Sequence, residues 1–185
     1  MDAQALLDRQ ESLQREGENV VKRLGLLDVL GAAGRVIPLG SYVTGLMVWR
    51  DLDFGVDAPG LTKTEAWELV GPLLGRCSSL HYEDDRDDAR RYFVVHIDGW
   101  KIDISIWVAG VPAGVEAFQA TLPGRLDDDL RVRILRLKDA WHTQPAYPYI
   151  VSAFEIYEAV LDHGVRTLDE LDRHLAARGL PTLLP

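Results

Sequence analysis

Two alternating apolar and polar runs joined by Asp98-Gly99 constrain the fold of this chain more than any other feature. An Asp-Gly pair between such runs suits the two-residue turn whose twist matches that of paired strands, so residues 90–97 and 100–108 are expected to form a β-hairpin. A turn of that length sets Ile97 opposite Trp100. Counting outward, His96 faces Lys101, Val94 faces Asp103 and Tyr92 faces Ser105. Opposed residues share a face of the sheet. Ile102, Ile104 and Ile106 therefore form an apolar face, and Asp103 lies on the other with Lys101, Ser105, Trp107, Tyr92 and His96. A lone carboxylate amid isoleucine and tryptophan is costly to keep ionised, and a metal ion would satisfy it.

Two further acids have a matching arrangement. Residues 51–56 (Asp-Leu-Asp-Phe-Gly-Val) are expected to be a strand, with Asp51 and Asp53 on one face and Leu52 and Phe54 on the other. Carboxylates spaced about 7 Å apart along one face can bridge hard divalent cations through oxygen. Ahead of them, residues 35–39 are expected to be a short buried strand bounded by Gly34 and Gly40, followed directly by the turn Gly40-Ser41. A helix over residues 42–47 would leave N–H donors and the Ser41 hydroxyl at its positive end, where a phosphate is favoured.

Gly40-Ser41, a short helix, Asp51-x-Asp53 and a later Asp103 on another strand resemble the polymerase-β-type nucleotidyltransferases. The resemblance implies an α+β chain with an α/β core, a mixed sheet flanked by helices. It also implies that Asp51, Asp53 and Asp103 are the catalytic acids and hold two Mg²⁺ ions, for which Mn²⁺ can substitute. Gly40 and Ser41 would bind the phosphates of a nucleoside triphosphate. Thr44 departs from many relatives, which carry Arg or a small residue there.

The remaining segments are mostly helical in pattern. Leu6, Leu13, Val20, Leu24 and Leu27 recur at helical spacing through an N-terminal segment, residues 1–34, weakened by Gly17 and Gly25. Thr62 and Glu65 form a capping-box pair opening a helix that Gly75 stops, and residues 79–82 are a short strand. The acid-rich run 83–88 lacks the spacing and internal Gly of a calcium loop and is expected to be a solvated hairpin tip. The core spans residues 35–112, where Gly110 to Gly114 mark a composition break. Residues 113–185 form a small helical region, with helices expected over 126–141, 152–163 and 168–178. There Lys138 near Trp141, and Ser152 at a helix start, resemble in order the residues that reach the triphosphate in the poly(A)-polymerase and nucleotide-second-messenger branches of the family.

Composition bears on partners. Twenty-nine acids against 20 lysines and arginines give a formal charge of −9, which on average repels a long phosphate backbone. No extended nucleic acid is therefore expected as partner, and a small-molecule acceptor such as an aminoglycoside-like cation is favoured. A single cysteine, Cys77, no basic-then-apolar leader and no apolar run of about 18 residues predict a cytoplasmic protein without a membrane segment. The expected activity is transfer of a nucleoside monophosphate from a triphosphate to an acceptor hydroxyl, with Tyr92, His96 and Lys101 as substrate contacts beside Asp103. The competing expectations are modification of a protein or tRNA, as in toxin–antitoxin pairs, and a non-catalytic nucleotide-binding relative.

Overall fold

A computed structural model describes residues 2–183 of the chain. Its elements are α1 (Ala3–Leu24), α2 (Leu26–Gly31), β1 (Arg35–Leu39), α3 (Gly40–Thr44), β2 (Asp51–Asp57), α4 (Lys63–Leu74), β3 (Ser79–Asp85), β4 (Arg90–Ile97), β5 (Trp100–Trp107), α5 (Ala113–Thr121), α6 (Asp128–Trp141), α7 (Ala153–His163) and α8 (Leu168–Ala177). The five strands form one mixed sheet in the order β1-β2-β5-β4-β3. Only β2 and β5 run parallel; the other pairs are antiparallel.

Side-chain alternation divides the sheet into two unlike faces. Leu52, Phe54 and Val56 of β2, Phe93, Val95 and Ile97 of β4, and Ile102, Ile104 and Ile106 of β5 all join one buried core. Leu13, Val20, Val21 and Leu24 of α1, Leu26 and Leu30 of α2, and Ala66, Val70 and Leu73 of α4 complete it. Each fully buried aliphatic or phenyl side chain contributes about 1.5–3 kcal/mol relative to exposure, so this layer drives the unit together. The opposite face carries the polar residues, and the hairpin register is the expected one: His96 with Lys101, Val94 with Asp103, Tyr92 with Ser105.

Three local expectations change. The helix expected over residues 42–47 lies instead at Gly40–Thr44, because Gly40 at φ 66° turns the chain out of β1 and Gly45 at φ 67° ends the helix. Strand β3 runs on to Asp85, since Asp84 and Asp85 pair with Arg91 and Arg90 across the hairpin. The next helix of the C-terminal region begins at Asp128, one residue after its cap Asp127, whose side chain accepts from the Leu130 N–H.

The chain divides into two compact units, Ser12–Leu122 and the residues before and after that span. The division does not follow the composition breaks near residues 34 and 112, because α2 and most of α1 bury their leucines and valines in the sheet's core. In the other unit, Ile134, Leu137 and Trp141 of α6, Ile156, Tyr157 and Val160 of α7, and Leu171 and Leu175 of α8 are buried. Ser152 and Thr167 open α7 and α8 with capping boxes that use Glu155 and Glu170.

Candidate active site

The parallel pairing of β2 with β5 builds the site. Its register sets Asp53 beside Asp103 and Asp51 beside Lys101, so four charged side chains stand as a two-by-two block on the polar face. Asp51, Asp53 and Asp103 each bring a carboxylate oxygen within 4.8 Å of the others. Among the described residues no other group of three or more acids, histidines or cysteines is arranged to hold a metal ion. Hard, closely spaced carboxylate oxygens suit Mg²⁺ or Mn²⁺ rather than a soft metal. Asp103 Oδ1 is buried and has no hydrogen-bond partner among the described residues, an orphan acceptor that a cation or a proton would satisfy.

Around the trio, β1 ends with Leu39 opposite Asp53, which brings the Gly40-Ser41 turn to that acid. Gly40 touches it so closely that a Cβ at this position would lie 2.1 Å from Asp53 Oδ2. Ser41, in the first turn of α3, is buried. Tyr92 donates its hydroxyl hydrogen to Asp103 Oδ2 at 2.6 Å, and the Arg90 guanidinium stands 4.8 Å from the centre of the Tyr92 ring. Farther along the same face, Trp107 covers Gly55, where a Cβ would come 2.4 Å from the indole.

Lys101 lies inside the cluster. Its Nζ donates to Asp103 Oδ2 at 2.7 Å and to Asp51 Oδ1 at 3.2 Å, and stands 5.5 Å from the centre of the Trp49 ring. Only 8% of the residue is exposed. Burial by itself pushes the ammonium's pKa down, but the charges of Asp51 and Asp103, the hydrogen bond to Asp103 and the charge of Asp53 outweigh it and hold the group protonated well above its usual range. Nothing in the sequence around Trp49 marks it as part of the site. Its place depends on the loop between α3 and β2, for which no local pattern speaks.

His96 shares the face of Asp103 by register, but its ring nitrogen Nδ1 pairs with Ser79 Oγ at 2.9 Å and the residue is exposed. In the helical unit Lys138 is 1% exposed and its ammonium donates to the Tyr157 hydroxyl at 3.1 Å. The Ser152 hydroxyl accepts from the Phe154 N–H at 3.1 Å and donates to Glu155 Oε2 at 2.5 Å as the cap of α7.

No protein-family model matches the sequence, and none of the curated proteins does. Solved structures match in shape. A Cid1 poly(U) polymerase bound to MgATP superposes with a TM-score of 0.63 at 14% identity, over 88% of this chain and 55% of that one. The fold is that of the nucleotidyltransferases. A cytoplasmic RNA terminal U-transferase gives a TM-score of 0.54 at 18% identity, over 80% of this chain and 45% of that one. Terminal uridylyl transferase 4 from Trypanosoma brucei, with bound CTP, gives 0.52 at 14% identity, over 95% of this chain and 61% of that one. The chain thus spans about half the length of these nucleotidyltransferases. The second of these structures is named for an RNA acceptor. Among the described residues no helix is long and apolar enough to cross a membrane.

Proposed function

We propose that this chain transfers a nucleoside monophosphate from a nucleoside triphosphate to an acceptor hydroxyl and releases pyrophosphate. The observation that supports it best is the convergence of Asp51, Asp53 and Asp103 within 4.8 Å, on a nucleotidyltransferase fold, beside the Gly40-Ser41 turn. The three carboxylates would hold two Mg²⁺ ions, which when bound neutralise charge on the triphosphate and acidify the acceptor hydroxyl. Asp103 Oδ1 takes the proton of that hydroxyl as its oxygen bonds to the α-phosphorus and the bond to pyrophosphate breaks. Tyr92 and Lys101 engage Asp103 through Oδ2, which leaves Oδ1 for this role. Backbone N–H groups of Gly40 and Ser41, with the Ser41 hydroxyl, orient the phosphates. Lys138 and Ser152 enter as triphosphate contacts through the family resemblance alone.

For the acceptor we favour the terminal hydroxyl of an RNA, the acceptor class named for a structural neighbour. The formal charge of −9 favours the second reading, a small cationic acceptor, because it weakens any long phosphate contact. Incubation with labelled triphosphates, short RNAs and a small-molecule pool separates the two. Label in RNA is the expected result, and label confined to small molecules moves the assignment to the second. Asp51→Ala, Asp53→Ala and Asp103→Ala are each expected to lower turnover by at least about 10³-fold while the chain stays folded. Full activity in the Asp51→Ala, Asp53→Ala double variant would refute the scheme.

A further inference from the structure

We infer that Lys101 is a resident counter-cation of the acidic trio, which a divalent ion must displace, so that the site takes up metal weakly alone and firmly only with a triphosphate. The inference rests on the trio being the metal site proposed above. Its basis is the position of one side chain. The β2–β5 register sets Lys101 directly beside Asp51, and strand alternation sets it on the face of Asp103 two residues on. The ammonium is within hydrogen-bonding distance of an oxygen of each, under the Trp49 ring, and almost fully withdrawn from water. A lysine reaching out to a distant phosphate would not be held from three sides in this way.

Competition follows from the shared oxygens. Mg²⁺ binds carboxylate oxygens at about 2.0–2.1 Å, so an ion on Asp51 Oδ1 or Asp103 Oδ2 would lie within a few ångströms of the ammonium now bound there. Two cations at that separation in a poorly hydrated site repel strongly. The lysine is also tethered, so its effective concentration at the carboxylates is high whatever the metal concentration. A nucleoside triphosphate changes the balance, since it adds oxygen ligands for the metal and negative charge to compensate the displaced ammonium. Metal and nucleotide then strengthen each other's binding through one charged side chain, a coupling reciprocal by thermodynamic necessity.

Mn²⁺ titration of the full chain, read by electron paramagnetic resonance of the unbound ion with and without ATP, tests this. Without nucleotide, Lys101→Met is expected to bind Mn²⁺ at least roughly tenfold tighter than wild type and to gain less from ATP, because a unit charge beside the ion has been removed. Lys101→Arg, which keeps the charge, should behave like wild type. Equal or weaker Mn²⁺ binding by Lys101→Met, with ATP still strengthening both proteins, overturns the role of Lys101 and leaves the metal site standing. No Mn²⁺ bound by wild type or Lys101→Met at saturating ATP, or binding unaffected by Asp103→Asn, removes the metal site itself. Should Lys101→Met fail to fold, Lys101→Gln keeps chain length and a polar end. Its thermal midpoint should rise more on Mn²⁺ addition than that of wild type, and an equal or smaller rise counts against the inference.

Discussion

At the scale of single residues, Gly40 shows how little room surrounds the acids. Its backbone is in the left-handed region at φ 66°, and the Asp53 carboxylate occupies the volume a side chain would need. Gly40→Ala therefore combines backbone strain with a direct clash against a proposed metal ligand. We expect a stability loss of about 1–3 kcal/mol in urea unfolding, and a fall in single-turnover rate of at least about 100-fold, since a displacement near 1 Å is that costly to catalysis. Retention of both properties would mean that Asp53 relocates freely. Lys101 offers the contrasting case. The residue is charged and identifiable in the sequence, yet its partner Asp51 stands 50 positions away on a strand whose neighbour only the folded sheet specifies.

At the scale of elements, α3 has five residues, too few to be helical on their own, and persists because glycines bound it and Ser41 and Thr44 are buried. Helix α7 is defined by its entrance instead. The Ser152 hydroxyl and the Glu155 carboxylate satisfy its first N–H groups in a reciprocal box. Ser152→Ala is expected to cost about 1 kcal/mol of unfolding free energy, and Ser152→Thr should restore most of it, as measured by chemical denaturation. A role for this hydroxyl in triphosphate binding would show separately, as a raised KM in Ser152→Ala beyond what the stability change accounts for. Between α7 and α8, the rings of His163 and His174 meet with centres 4.7 Å apart, tilted by 43°. Burial, then the charges of His163 and Arg178, hold His174 below its ordinary value against the opposing pull of Glu158. A folded pKa below the unfolded value of 6.5 means that the unfolded chain takes up this proton first as pH falls. The contribution of His174 is therefore present above that pH and is lost below it. Denaturation from neutral pH to about pH 5 should show wild type losing more stability than His174→Asn, and parallel profiles would contradict this.

For the molecule as a whole, the arrangement that matters is one sheet with an apolar face under helices and a polar face bearing the charges. Strand positions other than the far end of β3, the hairpin register and the facing of each acid were legible in the sequence, because alternation and an Asp-Gly turn act over a few residues. The capping box of α4 was legible for the same reason. The neighbour relation between β2 and β5 was not. Their pairing spans α4 and the β3–β4 hairpin, and it forms because helices on one side must bury Phe54, Ile102 and Ile104 together. The amino-acid sequence by itself determined which side chains lie on the polar face, through the two-residue repeat of an extended backbone. The tertiary structure alone decided that Asp53 and Asp103 meet and that Lys101 stands between Asp51 and Asp103, because sheet order is set by long-range burial that no local pattern encodes.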